Sequence, residues 1–143
     1  VARPHTVLGP GDKKGGADSL LPALGLPIYN AMEKPDSPLR LRRAVRQDIL
    51  HSVPETVSFQ QGDPRLRSIN RAQLNPAHRY TPLISATDVQ GKSYGDAACY
   101  IEFGAGPVKG GKLLYMWSSL TAGPVGSDIL GDVIPWAVEQ NVQ

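Results

Sequence analysis

The sequence predicts an α/β domain: a sheet containing a β-hairpin near 97 to 118, a C-terminal helix covering it, and a loop-rich N-terminal third. Three observations lead there. The runs Ala97-Ala98-Cys99-Tyr100-Ile101-Glu102-Phe103 and Lys112-Leu113-Leu114-Tyr115-Met116-Trp117 are apolar, aromatic or β-branched, and Gly104 to Gly111 separates them as a long glycine-rich loop. Behind the helix-start signal Ser127-Asp128, the residues Ile129, Leu130, Val133, Ile134, Ala137 and Val138 recur at helical spacing. Finally, 15 Gly and 13 Pro among 143 residues exceed the background share of about 12%, so the loops are long.

Taken from the N-terminus, residues 1 to 18 read as a flexible Pro/Gly-rich arm ahead of a single α/β domain over 19 to 143, which the missing initiator Met leaves open to being an excised piece of something larger. Within the arm, Gly9-Pro10-Gly11-Asp12-Lys13-Lys14-Gly15-Gly16 lacks the Lys-Ser or Lys-Thr pair and the preceding strand of a phosphate-cradling loop, so it is expected to be solvated. Pro22, Gly25 and Pro27 leave room for at most one helical turn in 19 to 32. The stretch from Ser37 to His51 admits two patterns. Ser37 as N-cap, Pro38 as first helical residue and Leu41, Val45 and Ile49 four apart favour a helix, whereas Leu39 and Leu41 alternating with Arg40 and Arg42 have the period of a strand.

In the hairpin, the first strand alternates, with Cys99, Ile101 and Phe103 on one face and Tyr100 and Glu102 on the other. Its partner is almost continuously apolar, as expected of a strand covered on both faces. The closing helix should carry its apolar stripe against that sheet and should kink or restart at Pro135, where a backbone donor is lost.

A formal charge of +2 and a pI near 8.8 do not point to nucleic acid. The middle third is nevertheless basic, and Arg40, Arg42, Arg43 and Arg46 are candidates for binding an anionic ligand, because guanidinium forks suit phosphate, sulfate or carboxylate. The competing expectation is a solvated face with local ion pairs to Asp36, Asp48 and Asp63. Few aromatics interleave with these arginines, which disfavours base stacking. The longest apolar runs, such as Leu113 to Trp117, fall far short of the roughly 20 residues of a bilayer span.

Catalytic signals are sparse. His5, His51 and His78 are far apart and no zinc-type spacing occurs, so neither a metal nor any other cofactor is expected. Cys99 sits mid-strand, where a thiol behaves as a small buried hydrophobe. His51 reads as a half-exposed residue at an element end. Asp128 and Asp132, four apart, read as a first-turn charge and a surface residue.

From about Ile49 to Glu139, roughly two-thirds of the chain, the layout resembles the C-terminal half of a class I glutamine amidotransferase-like domain, a flavodoxin-like α/β fold attached to many bacterial carbohydrate-related proteins. The residues that carry the likeness are His51-Ser52-Val53-Pro54, the strand-like Tyr80-Thr81-Pro82-Leu83-Ile84-Ser85-Ala86, Tyr100-Ile101-Glu102-Phe103-Gly104, Gly111-Lys112 opening an apolar strand to Trp117, and Trp136-Ala137 in the closing helix. The Gly-x-Cys-x-Gly elbow and the later His-x-Glu of catalytic members are absent, and Cys99 does not match the elbow. The resemblance therefore implies a non-catalytic accessory or interaction domain whose partner is another protein or the parent chain. Should residues 39 to 47 form the strand that precedes the His51 segment, the helix expected there fails. Two other classes stay open: a small structural subunit whose Pro/Gly-rich arm orders on a neighbour, and a hydrolase using Cys99 or His51.

Overall fold

A computed structural model describes residues 24–27, 38–44, 47–59, 68–117, 120 and 123–141. The arm at 1 to 18, the Ser37 cap position and Arg46 lie outside these. The described elements are five strands and a closing helix: β1 (Leu39–Arg43), β2 (Thr56–Phe59), β3 (Arg79–Thr87), β4 (Ser93–Glu102), β5 (Lys112–Met116) and α1 (Pro124–Asn141), with a short 3-10 turn at Arg71–Gln73. The strands form one sheet in the order β2-β1-β3-β4-β5, and all four pairings are antiparallel. This is the α/β arrangement of sheet plus C-terminal helix that the sequence predicts.

The hairpin is β4 and β5, joined across 103–111 and paired from Ala98 opposite Met116 to Glu102 opposite Lys112. Its loop closes on itself, with the Phe103 and Gly111 backbones hydrogen-bonded at 2.9 Å and Gly110 N–H reaching the Phe103 carbonyl at 2.8 Å. Residues from Ala97 to Ile101 and from Leu113 to Trp117 are all buried. Continuous burial, rather than alternation, is what both faces being covered requires.

The helix expected at Ser37 to His51 is instead β1 followed by an irregular turn. Leu39 and Leu41 are buried while Arg40 and Arg42 are exposed, so the period of two prevails over the four-residue spacing. The physical reason is pairing: β1 lies between β2 and β3, with Leu41 opposite both Val57 and Ala86, and a strand flanked on both sides satisfies its backbone donors and acceptors as fully as a helix would. Gln47 then fixes the following turn. Its side-chain carbonyl accepts from Ile49 N–H at 2.8 Å and Leu50 N–H at 2.6 Å, and its amide donates to the Leu50 carbonyl at 3.0 Å. That turn places Ile49, Leu50 and Val53 in the core.

Between β3 and β4 the register shifts near Pro82, Ile84 and Ser85, and β4 contains Gly95 at φ +80°. A side chain there would meet Ser68, whose hydroxyl donates to the Tyr94 carbonyl at 2.7 Å. The segment 68–70 thus crosses against β4 and, through Asn70 N–H to the Pro27 carbonyl at 2.8 Å, holds the turn at 24–27 that buries Leu26.

One expectation about α1 is corrected. The helix begins at Pro124, three residues before Ser127, with proline in the first-turn position that tolerates it. It also runs without a restart through Pro135, which is exposed and so spares the packed side. The buried stripe is Ile129, Asp132 and Val133, with Trp136 half-buried beside it, while Ile134 and Val138 are 48% and 57% exposed. Trp136 stands edge-on to Tyr100 at 5.0 Å between ring centroids. The helix therefore covers the Tyr100 face of the sheet, which by register also carries Thr81 and Leu114.

Candidate functional site

The four candidate arginines do not share one fate. Arg40 and Arg42 are exposed, two apart on the side of β1 opposite Leu39 and Leu41. Arg43 turns to the chain, donating through Nη1 to the Val53 carbonyl at 3.0 Å and the His51 carbonyl at 3.3 Å. Arg46 lies outside the described residues. A third exposed arginine, Arg71, stacks its guanidinium over the Tyr80 ring at 4.8 Å and comes within 3.9 Å of Asp96.

Asp96 is buried under this arginine and accepts a 2.5 Å hydrogen bond from the Tyr80 hydroxyl. Burial raises the Tyr80 phenol far above its ordinary value, with the neighbouring Cys99 and Asp96 adding to the effect. Cys99 is completely buried beside it, and its thiol is pushed up to about 12, chiefly by desolvation. A thiol in that state stays protonated at neutral pH and is a poor nucleophile.

His51, Ser52 and Asp132 come together from positions about 80 residues apart in the chain. Asp132, on the buried side of α1, accepts through Oδ2 from the backbone N–H of His51 and of Ser52, each at 2.8 Å. Its Oδ1 accepts from the Ser52 hydroxyl at 2.7 Å and lies 3.2 Å from His51 Nε2. The His51 side chain is 79% exposed against 2% for Asp132. Asp132 is therefore not the surface residue expected; four contacts draw it inward. Burial alone would raise its carboxyl, but the three hydrogen bonds and the adjacent imidazole together hold it below the usual carboxylate range.

The same three residue types make hydrolytic triads, but the wiring here differs. In a triad the serine proton points at histidine, which takes it as base, and the carboxylate holds the far side of the ring. Here the Ser52 hydroxyl donates to Asp132 Oδ1 at 2.7 Å, and its contact with His51 Nδ1 is the longer one at 3.3 Å. The arrangement ties the turn at 51–53 to the helix.

His78, also flagged in the sequence, is buried edge-on to Phe103 at 5.1 Å, and its Nδ1 accepts from Gly104 N–H at 3.1 Å. Among the described residues no cluster of His, Cys, Asp or Glu could hold a metal ion, and no helix is long and apolar enough to cross a membrane.

A cleft of about 170 Å³ opens between α1 and the sheet, unmarked by any sequence motif. Tyr100 and Trp136 line it, with Thr81 and Gln140; Asp48, Arg79 and Glu102 bring charge to its walls. Arg79 and Glu102 are directly opposed across β3 and β4. The Tyr100 hydroxyl is buried with no hydrogen-bond partner among the described residues, and burial together with the nearby Glu102 raises its phenol. Comparison of the chain with protein-family models, curated proteins and solved structures returns no significant match.

Proposed function

We propose that this chain is a non-enzymatic accessory or interaction domain of a larger, carbohydrate-related bacterial protein. The observation that carries the non-enzymatic part is the commitment of the Ser52 hydroxyl proton to Asp132, which leaves the most reactive-looking trio acting as a structural tie. The buried Cys99, with its thiol pushed up to about 12, is of the same character. The likeness to the C-terminal half of an amidotransferase-like domain, without its nucleophile elbow, motivates the carbohydrate context and rests on the sequence layout. Exposed Ile134 and Val138, one turn apart on α1, give its outward side two apolar contacts for a partner.

The test is an assay of the purified chain for ammonia release from glutamine and for turnover of an activated ester. Neither should exceed the rate of a Ser52→Ala, Cys99→Ala double variant. Turnover that this variant loses would replace the reading with the hydrolase alternative. Light scattering separates the remaining option: a defined assembly, rather than a 15.4 kDa monomer, would favour a structural subunit.

A further inference from the structure

The cleft beneath α1 combines features that structural packing alone does not require. At its wall stands a phenol that is 4% exposed and whose hydroxyl has no partner among the described residues. A buried polar group left unpaired costs stability, and Tyr100 would serve the core equally well as Phe. Beside it, the Trp136 ring is only half-buried. Thr81 and Gln140 each offer both donor and acceptor atoms, Arg79 offers donors, and Asp48 and Glu102 offer acceptors.

The charges narrow the ligand. Arg79 faces Glu102 across the strands, so each offsets much of the other's field, and Asp48 is exposed where water screens it. An anion would meet two carboxylates and a cation would meet the guanidinium. The volume of about 170 Å³ lies below the roughly 300–1,000 Å³ of pockets that take drug-sized molecules. A hydroxyl both donates and accepts, so several on one small ring satisfy this mixed set, while the ring's C–H face suits an indole.

We propose that the cleft between α1 and the Tyr100 face of the sheet binds a neutral, hydroxyl-rich small molecule about the size of one sugar ring. The proposal rests on the cleft alone and is independent of the accessory-domain reading.

It is tested by titrating the whole chain with glucose, galactose and myo-inositol through the millimolar range expected for so few ligand atoms, following ¹H–¹⁵N spectra. At least one should shift the Trp136 indole resonance saturably and leave that of Trp117 in place. Tyr100→Phe should weaken this binding about five- to tenfold, the loss of one hydrogen bond, and leave the free protein at least as stable. Glu102→Gln should weaken it without altering the fold. The proposal is overturned if none of the three probes moves Trp136, if glycine or inorganic phosphate moves it and the polyols do not, or if Tyr100→Phe binds as tightly as the parent.

Discussion

The two ends of the sheet are stabilised by different physics. At the β4 and β5 end, neighbouring side chains in sequence are buried on opposite faces, and the connection is a glycine-rich loop closed by its own backbone. At the β1 and β2 end alternate residues are buried in β1 and only half-buried in β2, and the connection is held by side chains: Gln47 along the turn, Arg43 on two carbonyls and Asp132 from the distant helix. Where packing is available from both sides, apolar area suffices. Where one side is open to water, directional polar contacts fix the chain instead.

The largest effect should come from the packed end. Ile101→Ala is expected to cost about 4 kcal/mol and Tyr100→Ala nearly as much, because both faces lose contacts. On β1, Leu41→Ala should cost about 3 kcal/mol, but Arg42→Ala should stay within about 0.5 kcal/mol. Equal costs for Leu41 and Arg42 in chemical denaturation would break the contrast.

Next in size is Gly104→Ala. The added Cβ would collide with the Ala77 carbonyl oxygen, so backbone must move and the His78 hydrogen bond to Gly104 N–H with it. A loss of about 2–3 kcal/mol is expected, read as a lowered melting temperature.

The polar end should reveal itself through pH. The Asp132 carboxyl is lowered in the folded state, so its contribution is complete above the unfolded value of about 4 and is lost as pH falls through the folded value. Asp132→Asn should therefore cost about 1–2 kcal/mol at pH 7 and progressively less in acid. A cost independent of pH would remove the charge from the account of this tie.

The smallest expected effect concerns Cys99. Its replacement by Ala should change stability modestly, while native-state alkylation of the thiol should be slow and become fast only on unfolding. Rapid native labelling would show that the packed end opens.

The contrast also explains what the sequence could reveal. The hairpin was legible because a strand buried on both faces writes continuous apolar runs and its loop writes glycine. β1 is legible only as the less favoured of two patterns, because Leu41, Val45 and Ile49 imitate a helix and the partners that decide the matter, Val57 and Ala86, are distant in sequence. The sequence puts Asp132 at the surface by its charge although it sits at helical spacing between Ile129 and Trp136; an acid in a buried stripe is the signal that marks it. β2 and the Tyr100 cleft left no local mark, since each exists only through residues brought from several elements.

The bond from Ser52 to Asp132 joins residues 80 positions apart. During synthesis at about 5–20 residues per second, the turn bearing Ile49, Leu50 and Val53 therefore leaves the ribosome roughly 4–16 s before the helix that secures it. For that interval its apolar side chains are without their final cover, and the turn is open to a chaperone or a wrong neighbour on the nascent chain.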